Sequence, residues 1–96
     1  MNIKAFCPKA ARAAALMKNL ANPHRLVILC RLHAGECSVS ELEDLVCLTQ
    51  SALSQHLARL RRDKVVATRR DAQTIYYRLT DPKTAKIIKQ LYTLYC

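Results

Sequence analysis

Three sets of residues in this sequence have types and spacings that could do chemistry: five thiols, a polar run from Thr49 to His56, and a block of cations after it. A cysteine thiolate attacks sulfur and peroxide and ligates soft metals. Cys7, Cys30, Cys37, Cys47 and Cys96 therefore open redox and metal-binding readings beside that of a small buried hydrophobe. An odd number of cysteines, in a chain read as occupying a reducing compartment, argues against a structural disulfide framework. His33 lies three residues past Cys30, but no C-x-x-C motif accompanies it. A thiol enzyme is disfavoured, and no catalytic residue is assigned.

The polar run supplies Thr49, Gln50, Ser51, Ser54, Gln55 and His56, side chains able to hydrogen-bond base edges or phosphates. Behind it Arg59, Arg61, Arg62, Lys64, Arg69 and Arg70 put six cations into twelve residues with only Asp63 against them. Four of the seven acids, Glu36, Glu41, Glu43 and Asp44, lie just upstream. With a net charge of +9 on so short a chain, the expected partner is a polyanion, and nucleic acid is the first candidate. Arg59, Arg62, Arg69 and Arg70 are suited to phosphates or, from a hairpin, to the minor groove.

These groups need elements to hold them. Residues from about Lys9 to Leu20 are Ala-rich, with Leu16, Met17 and Leu20 at helical spacing. Asn22-Pro23 reads as an N-cap and a first-turn proline that start a second helix, ending near His33 before Gly35. Leu26, Leu29, Cys30 and His33 would share one face of it. Ser40 and Glu43 read as a capping box for a third helix to about Val46. A fourth helix, about Gln50 to Arg62, would turn Leu53, Leu57 and Leu60 inward and Ser51, Ser54, Gln55, His56 and Arg59 outward, completing a helix-turn-helix. Two β-branched and aromatic runs, Lys64 to Arg70 and Thr74 to Thr80 around Asp71-Ala-Gln73, predict a cationic hairpin, a wing. Asp81-Pro82 repeats the capping device ahead of a last helix, about Lys83 to Cys96, with Ile87, Ile88, Leu91, Leu94 and Tyr95 on one stripe.

The expected architecture is one domain over residues 1–96, mainly α with a β-hairpin wing, in the order helix-helix-helix-helix-strand-strand-helix. Its small size and greasy last helix call for dimerisation through the first and last helices. No apolar run approaches the ~18–20 residues of a membrane span, and the start lacks a signal peptide's apolar centre, so a cytoplasmic protein is expected. A dimer would address an inverted-repeat DNA site.

TQSALSQHLARLRRDKVV, followed by RRDAQTIYYRL, resembles the ArsR/SmtB family of winged-helix repressors over nearly the whole chain. RLVILC at 25 to 30 and LYTLYC at 91 to 96 are similar to the HlyU and BigR type subgroup. The resemblance implies that Cys30 and Cys96 form a dithiol sensing sulfide-derived persulfides or oxidants. Where metal-sensing members carry E-L-C-V-C-D-L, this chain has Glu36-Cys37-Ser38-Val39-Ser40-Glu41-Leu42, and its last helix has no His and, apart from Asp81, no acid. A resident metal or cofactor is therefore not expected. The family pattern also places glycine where Cys47 and Lys64 stand. Two alternatives stay open: a metal or metalloid sensor with a rearranged cysteine site, and a thiol-independent activator that displaces a silencer.

Overall fold

A computed structural model describes all of residues 1–96. In chain order it has α1 (Ile3–Phe6), a 3-10 turn (Cys7–Lys9), α2 (Ala10–Leu20), α3 (Pro23–His33), β1 (Cys37–Ser38), α4 (Val39–Leu45), α5 (Gln50–Arg62), β2 (Val66–Asp71), β3 (Thr74–Leu79) and α6 (Pro82–Tyr95). The mainly helical winged architecture is as expected. The short α1 and the two-residue β1 are additions.

Local chemistry sets the helix starts. Asn22 Oδ1 accepts from the backbone N–H of His24 at 2.9 Å and of Arg25 at 3.1 Å, and Pro23 occupies the position whose N–H would be orphaned. Thr49 Oγ1 accepts from Ala52 N–H at 3.1 Å to open α5. Asp81 Oδ2 accepts from Thr84 N–H at 3.3 Å and from its hydroxyl at 2.7 Å to open α6.

The capping box of α4 is Ser38 with Glu41, not Ser40 with Glu43. Ser38 Oγ accepts from Glu41 N–H at 3.1 Å, and Glu41 Oε1 accepts from Ser38 N–H at 3.4 Å. Both pairs fit the S-x-x-E pattern, and strand pairing selects the earlier one. Cys37 and Ser38 are extended because they pair antiparallel with Tyr77 and Tyr76 of β3, so the chain enters the helix straight from a strand.

The inward stripe of α3 also differs from the expected one. Arg25, Ile28, Leu29 and Leu32 are buried, while Leu26 is half-buried and Cys30 and His33 are exposed. RLVILCRL carries two overlapping registers of the same helical period. The one containing Arg25 faces in because its guanidinium finds three partners there.

The sheet order is β1-β3-β2, with Asp71 opposite Thr74 at the hairpin end. Three residues have left-handed backbone: Gly35 (φ +146°), Lys64 (φ +59°) and Ala72 (φ +55°). At the end of α5 the N–H of Val65 bonds the carbonyl of Leu60 at 2.9 Å and that of Lys64 bonds the carbonyl of Arg61 at 3.0 Å. This pair of hydrogen bonds, with buried Leu60 against buried Val65, is a Schellman stop in which Lys64 takes the glycine position. Cys47, the other position where the family pattern has glycine, is not left-handed.

One core joins the helices and the sheet: Leu20, Ile28, Leu29, Leu32, Cys37, Leu42, Val46, Leu53, Leu57, Leu60, Val65, Val66 and Ile88. The stripe of α6 is buried only in its first half. Ile88 is fully inside and Ile87 and Leu91 are half-buried, but Leu94 is 67% and Tyr95 85% exposed. No helix is long and apolar enough to cross a membrane.

Candidate nucleic-acid interface

The turn between α4 and α5 holds the second helix of the pair with its polar face outward. Leu53, Leu57 and Leu60 are buried, whereas Gln50, Ser51, Ser54 and Gln55 are exposed and Arg59 is half-buried. Thr49 is exposed, with its hydroxyl oxygen occupied by the cap.

His56 departs from the expected outward placement. It is half-buried, with Nδ1 3.2 Å from Arg25 Nη1. Burial lowers its pKa first, and the charges of Arg25, His24 and Arg59 lower it further. The His24 ring lies 6.2 Å away, centroid to centroid. Arg25 also donates from Nε to the Asn19 carbonyl at 2.8 Å and from Nη2 to the Lys18 carbonyl at 3.0 Å. Asn19 in turn accepts from Arg59 Nε through Oδ1 at 3.0 Å. Arg25 and Asn19, buried and central to the site, were not singled out from sequence. The signal was a lone arginine three and four residues ahead of Ile28 and Leu29, on the helix face that is inward.

The cations separate into paired and unpaired. Arg69 makes a two-pronged ion pair with Glu36, at 2.8 and 2.6 Å, and its guanidinium carbon lies 4.3 Å from the Tyr76 ring centroid. The side-chain bond to Glu36 raises the Arg69 pKa and lowers that of Glu36. Arg62 pairs with its neighbour Asp63 at 3.1 Å. Arg61 and Arg70 are exposed and in no ion pair. Glu36 is thus an unanticipated element of the wing, reached from the loop before β1.

Among the thiols only Cys37 is buried, and desolvation raises its pKa. Cys7, Cys30, Cys47 and Cys96 are exposed. The Cys30 thiol has its pKa raised first by partial desolvation and then by the charge of Cys96. The two helices that lead to these residues, α3 with Cys30 and α6 ahead of Cys96, pack against each other.

Sequence comparison places the chain among known regulators. Residues 22–68 match the model described as "Bacterial regulatory protein, arsR family". The chain is 48% identical over 96 residues to the transcriptional activator HlyU of Vibrio cholerae serotype O1, covering 100% of this chain and 89% of that one. The crystal structure of the transcriptional repressor BigR from Xylella fastidiosa superposes with TM-score 0.93 at 42% identity, over 100% of this chain and 98% of that one. A structure described as reduced HlyU from Vibrio cholerae N16961 gives 0.91 at 47%, over 97% and 98%. The mainly helical winged fold, the exposed polar face of α5 and these matches agree: the chain belongs to the ArsR family of DNA-binding transcriptional regulators.

Proposed function

We propose that this regulator reads an operator with α5, works as a homodimer, and loses affinity for DNA when reactive sulfur species or oxidants bridge Cys30 to Cys96. The observation that supports the switch is that α3, which carries Cys30, packs against α6, which leads to Cys96, with both thiols exposed.

In the DNA complex Gln50, Ser51, Ser54, Gln55 and His56 face the major groove and Thr49 sits at its edge. Arg59, Arg62, Arg69 and Arg70 serve the phosphates and the wing contact, with Arg70 free at once and Arg69 available after release from Glu36. Phosphate neutralisation supplies affinity, and the exposed polar face supplies specificity.

The second copy covers the apolar surface that one chain leaves bare. Ile3, Phe6, Met17, Val27, Tyr92, Leu94 and Tyr95 are all exposed, on α1, α2, α3 and α6. A domain of this size seldom leaves so many large apolar side chains unpartnered.

The bridge forms in two steps. A sulfane-sulfur donor passes one sulfur to Cys96, leaving its own thiol and a Cys96 persulfide. The Cys30 thiolate then attacks the inner sulfur, forming the disulfide and expelling hydrosulfide. With peroxide the first step gives a sulfenic acid and water, and the second expels another water.

Treatment of the reduced protein with cysteine persulfide, followed by peptide mass mapping, tests the pairing. A direct 30–96 disulfide is expected, or, where excess donor also persulfidates Cys30 and the Cys96 persulfide expels hydrosulfide from it, a bridge bearing added sulfur. Modification confined to Cys7 or Cys47 contradicts it.

A further inference from the structure

We propose that Arg25 is a positioning residue for base reading: by donating from Nη1 into Nδ1 of His56 it fixes that imidazole as the Nε2–H tautomer, so α5 offers DNA a donor and never an acceptor there. The proposal rests on α5 being the reading helix.

The chemistry follows from what each group can do. A guanidinium has five N–H donors and no acceptor, so an imidazole nitrogen 3.2 Å from it must be the unprotonated one. In a neutral imidazole the other nitrogen then carries the hydrogen. Neutrality is favoured by every charged or titratable group around the ring: Arg25 and His24 from α3 and Arg59 from α5, with no acid among them.

The clamp is rigid. Arg25 is only 7% exposed and is tied to the carbonyls of Asn19 and Lys18 at the end of α2. The hydrogen bond of His56 runs through Nδ1, and Nε2 is not a fully enclosed atom left without a partner.

An Nε2–H donor can pair with guanine N7 or O6, adenine N7, thymine O4 or a phosphate oxygen. It cannot accept from the amino groups of cytosine or adenine. Arg25 thereby removes half of the ambiguity of a histidine without touching DNA.

The test uses the full chain, reduced, with a duplex enriched by it from a randomised pool and a scrambled duplex as reference. Long-range proton–nitrogen NMR should show His56 as Nε2–H in the wild type, a measurement that needs no variant. In Arg25→Gln the tautomers should mix, and the preference for the enriched duplex at fixed salt should fall about tenfold, while affinity for the scrambled duplex holds. Arg25→Lys, which keeps a donor, should restore part of the preference. A merely structural role would weaken binding to both duplexes together and leave the tautomer unchanged, which would overturn the proposal, as would an Nδ1–H or doubly protonated His56 in the wild type. Failure to enrich any duplex would contradict DNA reading itself, and this proposal with it. An enriched duplex bound by a protein whose His56 is not Nε2–H would contradict this proposal alone.

Discussion

Glu36 and Arg69 show how one acid can govern a wing. A surface ion pair contributes little to stability, on the order of 0–1 kcal/mol, so Glu36→Gln should leave the melting temperature almost unchanged. It should free the Arg69 guanidinium for phosphate. The expected outcome is tighter DNA binding with a steeper dependence of log affinity on log salt, by roughly 0.9 for each additional phosphate neutralised, measured by anisotropy over a salt series. An unchanged slope would mean that Arg69 stays on Tyr76. His56 carries a pH signature of its own. Its folded pKa is lowered, so the unfolded chain binds the proton more readily. The stability that depends on its neutral form is present above the ordinary value of 6.5 and is lost as the pH falls below it. Thermal melts should therefore lose stability from about pH 6.5 downward, and less so in His56→Gln.

Two helix and hairpin ends hold side chains where backbone geometry favours glycine. Lys64 closes α5 at φ +59° and Ala72 turns the wing at φ +55°. Lys64→Gly and Ala72→Gly should each raise stability by about 0.5–1 kcal/mol, read as a higher denaturation midpoint at unchanged slope, and a fall at either would show that the strain is relieved elsewhere. Ser38→Ala should cost about 1 kcal/mol by removing the cap of α4, whereas Ser40→Ala should cost far less. The elements themselves were largely legible in the sequence. Asn22-Pro23, Thr49 and Asp81-Pro82 act locally, through side chains that bond the next turn, so their positions could be read from neighbours alone. The strand at Cys37 and Ser38 could not, because two residues become extended only through pairing with β3, some 40 positions on. That pairing in turn moved the capping box from Ser40 to Ser38. The register of α3 was hidden for a related reason: only the fold supplies the carbonyls of Lys18 and Asn19 and the ring of His56 that let Arg25 face inward. The leucines of α5 needed no such help, since Leu53, Leu57 and Leu60 have a single apolar register.

At the scale of the molecule, α3 links the proposed thiol pair to the helix proposed to read DNA. It carries Cys30 and packs against α6, and it carries Arg25, which holds His56 on α5. A covalent tie at residue 30 therefore acts on the same rigid rod that orients α5, and a dimer would convert a small tilt of that rod into a change of half-site spacing. The exposed Leu94 and Tyr95 belong to the surface proposed for the second copy. Leu94→Asp together with Tyr95→Asp should shift the protein from dimer to monomer in sedimentation velocity, with a loss of operator affinity; a dimer that persists would place the interface elsewhere. The central claim is the switch, and operator binding at fixed salt before and after persulfide treatment tests it most directly, with wild type beside Cys30→Ser and Cys96→Ser. Reduced wild type should bind, treated wild type should bind at least tenfold more weakly, and both variants should bind equally before and after treatment. Release of DNA by either treated serine variant to the same extent as by wild type would contradict the switch.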